Sequence, residues 1–171
     1  MTTAADGGSP RPARRPRTRI QEANRQIILD AALQVFAASG YRGATVDRIA
    51  ARAGMAKPNR LYSVRSKDEI YRHVLESMLA MWLAPLERLD PDGDPVGEIA
   101  GYIRHKLEMS RAMPEASRLF ANEVLQGAPA IGEFLRGPLR DLVARKGAVI
   151  QGWIDQGRLT AVDPAHLIFM I

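Results

Sequence analysis

The sequence contains no cysteine. That removes disulfides, thiol catalysis and cysteine zinc sites, and it fits a reducing compartment such as the cytoplasm. No apolar run approaches the roughly 20 residues that would cross a bilayer. The first twenty residues lack the apolar centre of a signal peptide. No stretch alternates apolar and polar residues as a half-buried strand would, and no segment repeats. A glycine-rich phosphate loop is absent, and so is any motif that joins a nucleophile to a base and an oxyanion site. These absences point away from an enzyme and from a cofactor-dependent chemistry. His73 with Glu76, and His105 with Glu108, stand three residues apart on helical patterns. Two isolated pairs without further ligands do not make a metal site.

What the 171 residues do contain is apolar content of 46% and a net charge of +5. That much apolar material builds a core and excludes wholesale disorder. The charge is uneven. Residues 1–67 hold 13 Lys and Arg against 4 Asp and Glu, whereas residues 68–171 hold 11 against 15. Such a division suggests that the N-terminal third meets a polyanion and the remainder does something else.

Residues 1–20 combine Gly, Pro and five arginines (Arg11, Arg14, Arg15, Arg17, Arg19) with almost no large apolar side chains. They read as a disordered basic arm. From Glu22 to Ser39 the pattern is helical, with Ile28, Ala32, Val35 and Phe36 on one stripe and Gly40 as the stop. Thr45 is placed to cap a short helix over Val46–Ala53, Gly54 supplies a turn, and a second short helix is expected from about Ala56 to Ser63. Ser66 and Glu69 form a capping-box pattern ahead of a long helix whose stripe is Ile70, Val74, Met78, Trp82 and Leu86, with Pro85 as a kink or an end.

Asp90–Pro95 is a loop. Further helices are expected over Val96–Ala112 (stripe Ile99, Ile103, Leu107, Ser110), Pro114–Gln126 (Ala116, Leu119, Phe120, Val124), Pro138–Gln156, and from Pro164 after Asp163 as cap. The fold class is therefore all-α, divided into the arm 1–20, a three-helix unit 21–65 and a larger helical domain 66–171.

Two short helices joined by a glycine turn and backed by an amphipathic helix make a helix-turn-helix unit. In such a unit the second helix lies in the major groove of double-stranded DNA. Lys57, Asn59 and Arg60 occupy its first turn and a half. Asn pairs with adenine edges and Arg with guanine edges, while Lys57 and Lys67 suit phosphates as point charges.

The span "ILDAALQVFAASGYRGATVDRIAARAGMAKPNRLYSVRSKDEIY" resembles the TetR family of bacterial transcriptional regulators. The segments "WLAPL", "YIRHKLEMSR", "PEASRLFANEVLQGAP" and "GWIDQGRLTAVDPAHLIFMI" are similar to one branch of it, the RutR-like regulators of pyrimidine utilisation. The resemblance implies a DNA-binding domain followed by a helical domain for ligand binding and dimerisation. Taken with the residues above, the candidate DNA-facing set is Thr45, Lys57, Pro58, Asn59, Arg60, Tyr62, Ser63, Arg65 and Lys67.

The chain departs from the family at three places in and beside this set. Ala56 stands where Ser or Thr usually caps the reading helix, a loss of about 1 kcal/mol of capping. Pro58 removes a backbone donor, and Ser63-Val64 replaces the usual aromatic-Phe pair. One reading is that DNA recognition has shifted toward Arg60, Arg65 and the arm. The other is an effector-binding or protein-interaction module of the same descent with weakened or non-specific DNA binding.

The same resemblance makes Trp82, Met78 and Phe120 candidate ligand contacts, although a Trp at helical spacing also suits a core. A small, flat, largely neutral ring such as a pyrimidine is the expected effector. Trp153 reads as core, and Lys146, between Val143 and Ile150 on its stripe, as a snorkelling side chain. Family dimers form through the last two helices. Here "HLIFMI" reads as the start of one of them, so the homodimer expectation depends on whether the natural chain continues past Ile171. The resulting expectation is a cytoplasmic, ligand-responsive repressor with no membrane association.

Overall fold

The computed structural model describes residues 19–55 and 66–171. The described residues form helices and turns, with no strand among them. The first helix, α1 (Arg19–Gly43), presents Ile28, Leu29, Ala32, Val35 and Phe36 to the interior. It breaks at Gly40, whose φ of 66° and ψ of 173° lie in a region that essentially only glycine occupies. The break turns Tyr41 back along the helix, so its ring stacks 6.3 Å from that of Phe36.

Thr45 caps α2 (Val46–Arg52), its hydroxyl accepting from the Arg48 N–H at 3.2 Å. Ile49 and Ala50 anchor α2 to α1. The helix ends in a Schellman motif. The Met55 N–H bonds to the Ala50 carbonyl at 2.9 Å and the Gly54 N–H to the Ala51 carbonyl at 3.1 Å, with Gly54 at φ 68°.

Ser66 caps α3 (Lys67–Glu87) through the Glu69 N–H at 3.1 Å. The stripe Ile70, Val74, Met78 and Leu86 is buried, together with Tyr71, Leu75, Leu79 and Leu83. The apolar face is wide because α3 is central: it packs on α1, α4 and α7. Pro85 falls in the closing turn, and the helix runs two residues past it.

In α4 (Pro95–Ala112) the expected inner stripe is rotated. Tyr102 is buried and Ile99 half-buried, while Ile103 and Leu107 remain 39% and 63% exposed. The tyrosine has the largest apolar area on the helix, and its burial sets the rotation. The next helix, α5 (Pro114–Leu125), buries Ala116 and Leu119 as expected, but Glu123 in place of Val124, which is 45% exposed.

Gly127 (φ 88°) and Ala128 (φ 56°) turn the chain into α6 (Gly132–Phe134). A π-helical stretch, Leu135–Leu139, joins α6 to α7 (Arg140–Asp155). The helical path thus starts six residues before Pro138, whose ring is accommodated by the wider turn. The last element is α8 (Pro164–Met170), capped by Asp163 through the His166 N–H at 2.7 Å.

The α3–α4 loop is held by α7 and by the turn that follows it. Trp153, 1% exposed, donates its indole N–H to the Pro91 carbonyl at 2.7 Å. Lys146 reaches the Leu89 carbonyl at 3.2 Å, and Arg158 donates to the carbonyls of Pro91, Asp92 and Gly93. One contiguous core runs from Ile28 on α1 to Ile168 on α8.

Candidate nucleic-acid interface and ligand chamber

Of the nine DNA-facing candidates, the structure describes two, Thr45 and Lys67. Lys57, Pro58, Asn59, Arg60, Tyr62, Ser63 and Arg65 lie outside the described residues, as do the second short helix and the arm through residue 18. What the structure does show is the platform from which that helix departs. Arg48 donates to the Gly43 carbonyl at 2.8 Å and Arg52 to the Gln34 side-chain oxygen at 2.6 Å, so two exposed arginines brace α2 against α1. The Gly54 turn then fixes the direction in which the chain leaves α2.

Thr45 is exposed, but its hydroxyl is occupied as the α2 cap. The ammonium group of Lys67 is turned inward. It donates to the carbonyls of Tyr41 at 3.0 Å and Ala44 at 3.3 Å, and it stands 4.3 Å from the centre of the Tyr41 ring. Two of the three donors of this ammonium are thus taken by carbonyls of the described residues.

The three ligand candidates sit deeper in the body. Met78 is buried at 3% exposure. Trp82 and Phe120, from α3 and α5, meet edge to face with ring centres 5.4 Å apart. The indole N–H of Trp82 is buried and meets no hydrogen-bond partner among the described residues. The same holds for His105 Nε2 on α4 and Ser117 Oγ on α5, the latter one turn from Phe120. Burying such groups unpaired costs on the order of 1–3 kcal/mol each. Lys106, beside His105, has its ammonium pKa lowered by burial, and the phenol of Tyr102 is raised by burial.

A further site lies where α5 packs beside α1 and reaches α3. Glu123 is 2% exposed. Its carboxylate accepts from the Tyr71 hydroxyl at 3.0 Å and from the Ala130 N–H at 2.6 Å. Burial, and then the neighbouring Glu123 charge, push the Tyr71 phenol well above the ordinary tyrosine range. A signal is available in the sequence. Glu123 continues the α5 stripe of Ala116, Leu119 and Phe120 at helical spacing, where an acidic residue is out of place unless something binds it.

Residues 28–74 match the family described as bacterial regulatory proteins, tetR family, and residues 75–171 match the YcdC-like protein C-terminal region. The chain is similar to the HTH-type transcriptional regulator RutR of Escherichia coli strain K12, at 46% identity over 91% of this chain and 73% of that protein. It is also similar to the HTH-type transcriptional repressor SCO4008 of Streptomyces coelicolor, at 32% identity over 90% of this chain and 77% of that protein. Among solved structures, a TetR-like transcriptional regulator from Rhodococcus sp. RHA1 shares the fold. Its TM-score is 0.63 at 22% identity, over 85% of this chain and 76% of that one.

Proposed function

The chain belongs to the TetR family of bacterial transcriptional regulators, and on that footing we propose that it is a repressor released from its operator by a small, flat ring compound with a pyrimidine-like edge. Residues 21–65 form the DNA-reading head in this proposal, and residues 66–171 the effector-binding and dimerising body. DNA contact is assigned to Thr45, Lys57, Pro58, Asn59, Arg60, Tyr62, Ser63, Arg65 and Lys67. The RutR similarity supports the effector class.

One observation carries the effector assignment: the indole N–H of Trp82, without a partner among the described residues, beside the edge-to-face contact with Phe120. An indole N–H only donates, so it selects a ligand with an acceptor such as a ring carbonyl. The Trp82 and Phe120 faces supply apolar walls for a planar ring. Ser117, which both donates and accepts, suits the alternating edge of a pyrimidine.

A homodimer is part of the proposal, since a symmetric helix-turn-helix pair reads half-sites one DNA turn apart, roughly 34–36 Å. An apolar groove of about 700 Å³ between α7 and α8, with Leu139, Val143 and the 68% exposed Phe169 in its wall, supports a second copy seated there.

Fluorescence titration with uracil and thymine tests the effector assignment. Quenching should occur in the parent chain and vanish in Trp82→Phe, because the remaining Trp153 is spent on the Pro91 carbonyl. The same ligands should release a duplex that the chain itself selects from a random pool. Release by ligands that leave Trp82 unperturbed would remove this residue from the site.

A further inference from the structure

We propose that Glu123 is a positioning residue that sets the pose of the reading head on the effector-binding body, acting through Tyr71. The inference rests on the effector reading above and names the part that carries its signal.

The chemistry of Glu123 motivates it. A buried carboxylate is costly unless paired or fully hydrogen-bonded, and an apolar residue of similar size would pack there without that cost. Among the described residues no salt bridge compensates it. Its two oxygens instead take one hydrogen bond each, from two different parts of the chain: Tyr71 on α3 and Ala130 beyond the α5 turn. Hydrogen bonds are directional, so this arrangement fixes an orientation where apolar packing would fix only a distance. The Ala130 donor is presented by a turn containing Ala128 at φ 56°, a left-handed conformation that is unfavourable for an alanine.

From Tyr71 the packing continues into the head. Its ring meets Phe36 and Tyr41 edge-on, each with centres 4.9 Å apart. Tyr41 in turn lies under the Lys67 ammonium, which holds the Ala44 carbonyl next to the α2 cap. An unbroken series of touching groups thus leads from α5 to the start of α2. At the other end, Phe120 stands one turn before Glu123 on α5 and touches Trp82. A ring that wedges Trp82 from Phe120 shifts α5, and the first buried group one turn along is Glu123. Tyr71 and Glu123 also line a cleft of about 610 Å³ together with Tyr41 of the head. At that level the Glu123 hydrogen bonds orient the Tyr71 ring, and that ring packs on Phe36 and Tyr41 of the head.

The test is a double-mutant cycle of Glu123→Gln and Tyr71→Phe in the full chain. Affinity is measured for the self-selected duplex and for a random duplex at the same salt, with and without saturating uracil. Tyr71→Phe keeps the ring and its packing against Phe36 and Tyr41.

Each single variant should lose about tenfold on the selected duplex and little on the random one. The double variant should be no worse than either single. The factor by which uracil weakens DNA binding should shrink, while uracil affinity, read from Trp82 fluorescence, stays the same. Additive losses, equal losses on both duplexes, or an unchanged release factor would overturn the proposal.

A second measurement covers variants that melt early. The parent chain has no cysteine, so spin labels placed at the exposed Arg42 and Asp141 through Arg42→Cys and Asp141→Cys report head against body. At a temperature where the chain remains helical, the distance distribution should broaden in both variants. An unchanged distribution overturns the clamp. Absence of any uracil signal at Trp82 in the parent chain defeats the effector reading alone, because the ligand-free cycle and the label distances still decide the role of Glu123.

Discussion

The Lys67 ammonium lies 4.3 Å above the Tyr41 ring and donates to the carbonyl of the same residue at 3.0 Å. A single cation thereby ties the first residue of α3 to the last turn of α1. Hydrogen bonds from a charged group contribute about 1.5–3 kcal/mol where they are shielded, and a cation over a ring adds roughly 0.5–1 kcal/mol.

Lys67→Met is expected to lower unfolding free energy by about 1–3 kcal/mol. Lys67→Arg should lose much of the same amount, since a planar guanidinium does not fit a site built for a compact ammonium. Urea unfolding of the three proteins gives the comparison. Full stability in Lys67→Arg would show that charge alone matters, and full stability in Lys67→Met would show that these contacts contribute nothing to the fold.

The all-α class is legible in the sequence because glycines and cap residues punctuate every helical stripe. Thr45, Ser66, Asp94 and Asp163 each cap a helix through their own side chains. The rotation of α4 is not legible. Tyr102 and the pair Ile103 and Leu107 offer two competing faces, and only the neighbouring helices decide between them. The inward turn of Lys67 is hidden for a related reason. Its acceptors are backbone carbonyls 23 and 26 residues away, and a carbonyl has no sequence signature. Glu123 is visible as an oddity on an apolar stripe, but its partner Tyr71 lies 52 residues earlier on another helix. Trp82 and Phe120 both stand out in the sequence, and the structure places the two rings against each other.

In the proposed function Arg60 reads bases and Lys57 holds phosphate. Arg60→Ala should cost about 1–3 kcal/mol on the selected duplex and relax its sequence preference. Lys57→Ala should weaken binding to all duplexes alike and reduce the magnitude of the salt slope by about 1. Competition assays against single-base variants of the selected duplex distinguish the two. Identical profiles for both variants would refute the division of roles.

The five arginines of residues 1–20 should add affinity with little specificity. Deleting residues 1–19 should flatten the plot of log affinity against log salt by about 0.9 for each phosphate that the arm neutralises. The ratio of selected to random affinity should change far less. An unaltered slope would show that the arm does not touch DNA.

His73 gives the chain an acid limit. Its ring is partly buried on α3 and its Nδ1 has no partner among the described residues. Burial lowers its pKa, and the positive charge of Arg25 lowers it further. Glu76 and Glu69 pull the other way and Arg72 adds to the lowering, with the net direction downward. The unfolded chain therefore takes up this proton before the folded chain does. Stability is full above the unfolded value of about 6.5 and falls as pH drops from there through the depressed folded value. His73→Gln keeps a polar side chain without a titrating group. Unfolding free energies of the parent chain, measured by urea from about pH 7.5 to 5, a window that spans the unfolded value, should decline more steeply than those of His73→Gln. Parallel curves would mean that His73 charges as easily in the folded chain as in the unfolded one.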